Sequence, residues 1–375
     1  MVTVRDVARE SGVSISTVSR ALSEPGRVAP ETRDRVVAAA TRLGYRPNRA
    51  ASGLRAGRTH ALGLVVPDLE NPYFASVTKG VQARARRTGY AVFVVDAGED
   101  PALETELVEG LRPQTDGLVL CSPRAVEADL AAAGDAPVVL VNLRIDGVPA
   151  VSSDDAHGVL LAVEHLRALG HRRIAYVGGP DRSWSDARRR AGLEAAGERY
   201  PDVETVVVGA FRPRVEGGRS AADLVVASGA TAVLAYNDLV ALGLVARMRE
   251  RGVSVPHDLS VVGFDDTFVA TLAAPPLTTV RTDLAELGAR GVDRLVASLE
   301  ARRAARAAAD GDDQGVADAA GSASEDPADV LPVELVVRGS TTVPPPATVP
   351  PSAQPASVAA PRADRPSTTE PQEAV

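Results

Sequence analysis

From His60 onward, short aliphatic runs alternate with longer amphipathic stretches, and few folds can satisfy that pattern. The runs Ala61–Val66, Ala91–Val95, Gly117–Leu120, Val138–Val141, Ile174–Val177, Thr205–Val208, Ala232–Ala235 and Ser260–Val262 have strand length. Between them lie Phe74–Thr88, Gly158–Leu169, Ala187–Arg199, Arg219–Ala227, Asp238–Arg251 and Leu284–Leu299, which carry apolar residues at helical spacing. Strand–helix alternation implies parallel sheets joined by right-handed crossovers. Aromatic residues make up only 3% of the chain against 45% apolar, so Val, Leu and Ala must fill the core, as they do where helices cover both faces of a sheet. Eight strands suit either one sheet or two lobes. In either case ligands gather at the carboxyl ends of the strands.

The first 45 residues follow a different rule. Thr3 and Asp6 form a loose capping box ahead of Val4, Val7 and Ala8, and Gly12-Val13 breaks that helix. Ser14 can cap a second helix over about Ile15–Leu22, with Val18 and Leu22 inward. Pro30 opens a third, where its missing N–H is harmless, with Val36, Val37, Ala40 and Leu43 as its apolar stripe and Gly44 as its stop. A small residue at the helix contact, a sharp turn and polar side chains opening the second helix are what a helix-turn-helix requires.

Charge separates the two regions. The chain carries a net −8, yet residues 1–58 hold eleven Arg against five Asp/Glu, a net of +6. A basic arm on an acidic body suits a nucleic-acid-binding head on a separate domain, although a solvated basic surface would look the same by charge alone. Cys121 is the single cysteine, so no intrachain disulfide or cysteine metal cluster can form, and the five His have no metal-ligand spacing. No signal-peptide pattern opens the chain and no apolar run approaches the roughly 18 residues of a membrane span, so a cytoplasmic protein is expected. The chain has no G-x-G-x-x-G after a strand, no Walker A, no G-x-S-x-G and no H-E-x-x-H; the expectation is no enzyme, no cofactor and no metal.

TVRDVARESGVSISTVSRALSEPGRVAPETRDRVVAAATRLGYRPNRAASGLR, from Thr3 to Arg55, resembles the DNA-binding head and hinge of the lactose-repressor (LacI/GalR) family along nearly its whole length. The body resembles the same family's effector domain, itself similar to periplasmic sugar-binding proteins. The landmarks are ALGLVVPDLENPYF at 61–74, EHLRALGHRRIAYVGGP at 164–180, YNDLVALG at 236–243, DLSVVGFDD at 258–266, PPLTTVR at 275–281 and LPVELVVRGST at 331–341. The resemblance implies an all-α helix-turn-helix head with a hinge helix, and an α/β effector domain of two lobes with parallel sheets and ligand in the cleft. The expected limits are 1–46 for the head, 47–58 for the hinge and 59–341 for the body, with an atypical insertion at 301–327, a last strand at Val333–Val337 and a disordered Pro-rich tail over 342–375.

The same resemblance assigns roles. Ile15, Ser16 and Arg20 face base edges in the major groove; Arg20 suits a bidentate contact to guanine, and Ile15 a thymine methyl unless it is a core residue. Thr17, Ser19 and Asn48 position the head on phosphates. Leu54 is the hinge wedge for the minor groove, which needs a second copy of the chain and implies a homodimer, or a dimer of dimers, on a near-palindromic operator. In the cleft, Asp265 accepts from a sugar diol, and Asn237 donates and accepts unless it simply caps its helix. Arg189 pairs with ligand oxygens and Ser185 sits beside it. Tyr73, Phe74 and Phe211 offer flat faces, with Phe74 alternatively a core anchor, and Trp184 is a further wall. The implied function is a ligand-controlled transcriptional repressor whose effector is a carbohydrate or nucleoside-like molecule. The departures from the family are Ala29, the Ser52-Gly53 pair, the NLR at 142–144, a long Arg212–Gly218 segment and the insertion.

Overall fold

The computed structural model describes residues 2–23, 25–45, 58–311 and 329–346. Asn48, Leu54, nearly all of the hinge, most of the insertion and the tail beyond 346 lie outside them. The head is three helices, α1 (Val4–Ser11), α2 (Ile15–Ser23) and α3 (Pro30–Leu43). The Asp6 carboxylate accepts from Thr3 N at 2.9 Å and Thr3 Oγ1 at 2.8 Å, and these bonds hold its pKa below the usual value. Gly12, at φ 66°, ends α1. Ser14 Oγ accepts from Thr17 N at 3.1 Å at the start of α2. Val7, Val18, Ala21, Val36, Ala39 and Ala40 close the head core. Val37 was expected in that core, but it is exposed. The stripe on α3 runs through 36, 39, 40 and 43, and Val37 lies one position off it.

The body has two six-stranded sheets rather than one. The first has the order β11-β5-β4-β3-β1-β2, from β1 (Ala61–Val66), β2 (Ala91–Asp96), β3 (Gly117–Cys121), β4 (Val138–Val141), β5 (Ala150–Ser153) and β11 (Asp329–Leu331). The second has the order β12-β10-β9-β8-β6-β7, from β6 (Arg173–Gly178), β7 (Glu204–Ala210), β8 (Ala232–Ala235), β9 (Ser260–Asp265), β10 (Thr278–Arg281) and β12 (Glu334–Val336). Among the described residues every pairing is parallel except β10 with β12. The chain crosses between lobes three times: from β5 to β6, from β10 back to the first lobe, and from β11 to β12. The short strands β5, β10 and β11 sit at these crossings. They were not anticipated, because AVSS, TTVR and DVL carry at most two consecutive apolar residues, unlike the wholly apolar four-residue runs of β4 and β8.

Helices cover both faces of each sheet. In the first lobe, α4 (Pro72–Arg87) and α12 (Leu284–Gly311) cover one face, and α5 (Pro101–Leu111) and α6 (Val126–Ala133) the other. In the second, α7 (Asp155–Leu169) and α8 (Trp184–Arg199) lie opposite α9 (Val215–Ala227) and α10 (Asp238–Glu250). A short α11 (Phe268–Leu272) follows β9. Glycines set the closest helix crossings. A Cβ at Gly80 of α4 would fall onto the carbonyl oxygen of Ala285, and one at Gly288 of α12 onto that of Val77.

Two boundaries differ from expectation. Helix α12 continues through Arg302 and Arg303 to Gly311, into the segment read as an insertion. Ala and Arg are strong helix formers, and Arg303 bonds Tyr90 OH at 2.9 Å and pairs with Asp116 at 3.6 Å. At the other end, order extends past 341: Thr342 N donates to Ser260 Oγ at 3.0 Å, and Thr342 O lies 2.9 Å from His171 Nε2. That docking is polar and leaves no apolar periodicity to read.

The glycine crossing is testable. Gly80→Ala should lower stability in urea unfolding by about 1–3 kcal/mol, as overpacking does. Gly110→Ala, on α5 where an added Cβ meets nothing, should be neutral or stabilising by about 0.5–1 kcal/mol.

Candidate functional site

On the head, Ile15, Ser16, Ser19 and Arg20 are exposed along α2, so Ile15 is not a core residue; Thr17 is half-buried. Ser14 Oγ lies 2.8 Å from both Ser16 Oγ and Thr17 Oγ1, and Arg20 Nε donates to Ser16 O at 3.3 Å. A row of hydroxyls and a guanidinium therefore opens one helix face to solvent, where base edges and phosphates can be met.

The second site is a cavity between the lobes. Its lining comes equally from Asn71, Tyr73, Phe74, Ser122, Arg124 and Asn142 of the first lobe and Ser185, Arg189, Pro213, Tyr236, Asn237 and Asp265 of the second. Half of them lie at the carboxyl ends of strands: Ser122 and Arg124 after β3, Asn142 after β4, Tyr236 and Asn237 after β8, and Asp265 closing β9. Ser122, Asn142 and Asp265 have φ of 48°, 56° and 109°, a backbone strain that non-glycine residues bear where a side chain must be aimed. The empty space is about 340 Å³, including the part open to solvent.

Arg189 is the centre of this cavity. Its side chain is 6% exposed. Nη1 donates to Tyr236 O, Nη2 lies 3.4 Å from Asp155 Oδ1 and 3.7 Å from Asp265 Oδ1, and the guanidinium carbon sits 3.6 Å from the Phe264 ring centroid. Burial works against its charge, but Asp155, Tyr236 and Asp265 outweigh that and raise its pKa. Burial likewise pushes the Asp265 carboxyl well above the usual carboxylate range, against the pull of Arg189. Across the cavity, Arg124 is held by Glu99 through Nε–Oε2 at 3.0 Å and Nη2–Oε1 at 3.3 Å. Asn142 Nδ2 donates to Tyr73 OH and, at 3.4 Å, to Ser122 Oγ. Of the residues that line the cavity, Asn142 and Arg189 bury Oδ1 and Nε, respectively, without a hydrogen-bond partner. Leaving such a group unmet costs about 1–3 kcal/mol, and a ligand rich in hydroxyls can meet it.

Six of the eight residues expected in the cleft line it. Phe211 does not: its N–H bonds Gly178 O at 3.1 Å, and its ring packs on the second lobe's core, while Pro213 reaches the cavity instead. Trp184 also stays outside, half-buried, with the Arg188 guanidinium carbon 5.9 Å from its ring centroid. Two residues combine the alternatives: Asn237 Oδ1 accepts from Val240 N at 2.9 Å as a helix cap while the side chain lines the cavity, and Phe74 is both wall and core. Sequence reasoning missed Asn71, Ser122, Arg124, Asn142, Pro213 and Tyr236. Their common signal was available, since each lies just before a helix or just after a strand.

The geometry defines a ligand-binding body of two lobes carried by a chain with a helix-turn-helix head. Residues 3–48 match the model for bacterial regulatory proteins of the lacI family, and residues 163–341 that for a periplasmic binding protein-like domain. The HTH-type transcriptional regulator DegA of Bacillus subtilis is 31% identical over 350 residues, covering 91% of this chain and 98% of that one. The lac repressor dimer bound to operator and the anti-inducer ONPF is similar in structure, with a TM-score of 0.75 at 29% identity, over 91% of this chain and 99% of the other. The complex of the transcriptional regulator CelR with cellobiose gives 0.62 at 28%, over 91% and 100%. The chain belongs to the LacI family of bacterial regulatory proteins and is a DNA-binding transcriptional regulator.

Glu104 shapes the cleft from behind. Its Oε1 accepts from Arg124 N at 2.7 Å and Ala125 N at 2.9 Å, fixing the loop that carries Arg124. Burial, then a hydrogen bond shared with Asp129, pushes its carboxyl up to about 8. A folded pKa raised above the unfolded value contributes stability that is complete below about 4.5 and is lost as pH rises through about 8. Urea unfolding between pH 4 and 9 should show this fall in the parent chain and a shallower one in Glu104→Gln, which keeps the acceptor but cannot ionise.

Proposed function

We propose that this regulator is a cytoplasmic repressor that binds a near-palindromic operator as a homodimer, and that an uncharged, hydroxyl-rich ligand of the sugar class controls it from the cleft. The carrying observation is the balance of the cavity. Arg189 already faces Asp155 and Asp265, and Arg124 is bound by Glu99, so neither guanidinium is left to neutralise an anion. What remains are hydroxyls, an amide and unpartnered buried polar atoms, which suit a polyol. The cellobiose complex of CelR supports the same class. On this reading Asp265 and Asn142 accept ligand hydroxyls, Arg189 and Ser185 donate, and Tyr73 and Phe74 give the apolar wall. Ile15, Ser16 and Arg20 read bases, with Thr17, Ser19, Asn48 and Leu54 placing the head and hinge. The domain limits follow as 1–46, 47–58 and a body from 59 through the docked Thr342, with α12 running into the insertion and a tail beyond.

A regulator rather than an enzyme is the better reading of Asp265-Asp266. Asp266 is engaged by Arg338 at 2.6 Å and by Arg281 at 3.5 Å, so the two adjacent carboxylates do not form a catalytic pair. No helix among the described residues is long and apolar enough to cross a membrane. Ligand control requires the effector to bind the operator-bound and free states with different affinities. The expected sign is induction, the ligand favouring the free state.

Two measurements check this. Thermal shift with cellobiose, galactose, ribose and a nucleoside panel should give a rise in Tm with a sugar that disappears in Arg189→Met; a rise with nucleosides alone would rule out the sugar class. Duplex DNA selected by the parent chain from a random library should bind Arg20→Ala about 1–3 kcal/mol more weakly, with preference relaxed at one base pair per half-site. Unchanged affinity and preference would remove Arg20 from the base-reading set.

A further inference from the structure

An ion pair joins the two lobes at the mouth of the cleft, outside the cavity lining. Arg214, just ahead of α9, extends from the second lobe to Asp68, in the loop after β1 of the first. Its Nε lies 3.0 Å from Asp68 Oδ2, and its Nη1 lies 3.5 Å from Glu70 Oε2. The Asp68 side chain is 3% exposed and that of Glu70 83%, so solvent screens the Glu70 contact and hardly the Asp68 one.

Each end of the pair is tied to the cavity. Asp68 Oδ1 accepts from Glu70 N at 2.9 Å, and three residues on from Asp68, Asn71 caps α4, whose first turn carries Tyr73 and Phe74. On the other side, Asn237 Nδ2 donates to Pro213 O at 3.1 Å, so the loop before Arg214 is pinned to the cavity wall. Arg214 O accepts from Gly217 N at 3.0 Å, which pins the same loop to α9. Arg214 belongs to the long Arg212–Gly218 segment that the family resemblance left without a role.

We propose that Arg214 is a positioning residue: by latching onto Asp68 across the cleft mouth, it sets the fraction of molecules in which the two halves of the ligand site are assembled. The idea rests on the cleft being the ligand site, but its physical content is the equilibrium between joined and parted lobes. A ligand that needs both halves binds with an apparent affinity scaled by that fraction.

The test measures the distance between lobes in the full chain without ligand. Spin labels are attached through Glu109→Cys on α5 and Glu198→Cys on α8, both exposed positions, while the native Cys121 is buried and escapes labelling. Double electron–electron resonance should show the longer-distance population rising roughly three- to tenfold in Arg214→Gln, consistent with loss of a partly buried pair. Asp68→Asn should give a similar change and add nothing to Arg214→Gln in the double variant. Glu70→Gln should leave the distribution close to the parent. Unfolding midpoints close to the parent's would separate a latch from general destabilisation. Unchanged distances in Arg214→Gln, or additive effects in the double variant, would overturn the proposal. Failure of every sugar to bind would remove the ligand reading and leave this measurement intact.

Discussion

A guanidinium held almost entirely out of water is the constraint around which the body of this protein is arranged. Moving such a charge into the interior is costly, and the cost is offset only when carboxylates and hydrogen bonds surround it closely. Arg189 obtains that surrounding from distant parts of the chain: Asp155 opens the helix that follows the first crossing, Tyr236 follows β8, and Asp265 ends β9 beside Phe264. No local segment could provide it. The second lobe must therefore bring its strand ends together at one point, and that point is the ligand cavity. Removing one partner from such a set typically costs about 3–5 kcal/mol, because an uncompensated buried charge remains.

The two-lobed architecture makes this arrangement useful to a regulator. Three crossings tie the lobes without fusing their sheets, and the cavity is lined in equal number from each side. A ligand that bridges the lobes gains its full set of contacts only when they are close. Its binding energy is thereby converted into a preference for one arrangement of the body. The Arg214–Asp68 pair acts on the same coordinate without occupying the ligand's space.

Much of this was legible before any coordinates. The strand–helix alternation is local and periodic, so nine of the twelve strands among the described residues could be read, the last of them one residue too long at each end, while β5, β10 and β11 could not. The head's caps were legible for the same reason: Thr3–Asp6, Ser14, Pro30 and Gly44 act within a few residues of themselves. Phe211 shows where that reasoning ends. A phenyl ring near a strand terminus suits a ligand wall or a core equally well, and only its packing against the second lobe's core decided between them.

The sequence by itself determined the classes of structure: a helical, basic head, parallel sheets covered on both faces, and chemistry at the carboxyl ends of strands. These follow from short-range periodicity, capping and charge, which act along the chain. Only the tertiary structure decided the strand order within each of the two sheets, that Arg189 lies between Asp155 and Asp265, that Arg124 and Asn142 join the cavity, and that Arg214 spans its mouth. Each depends on residues far apart in sequence being brought within a few ångströms, and on whether a polar atom then finds a partner. That information belongs to the packing of the crossings and helices, and no local pattern encodes it.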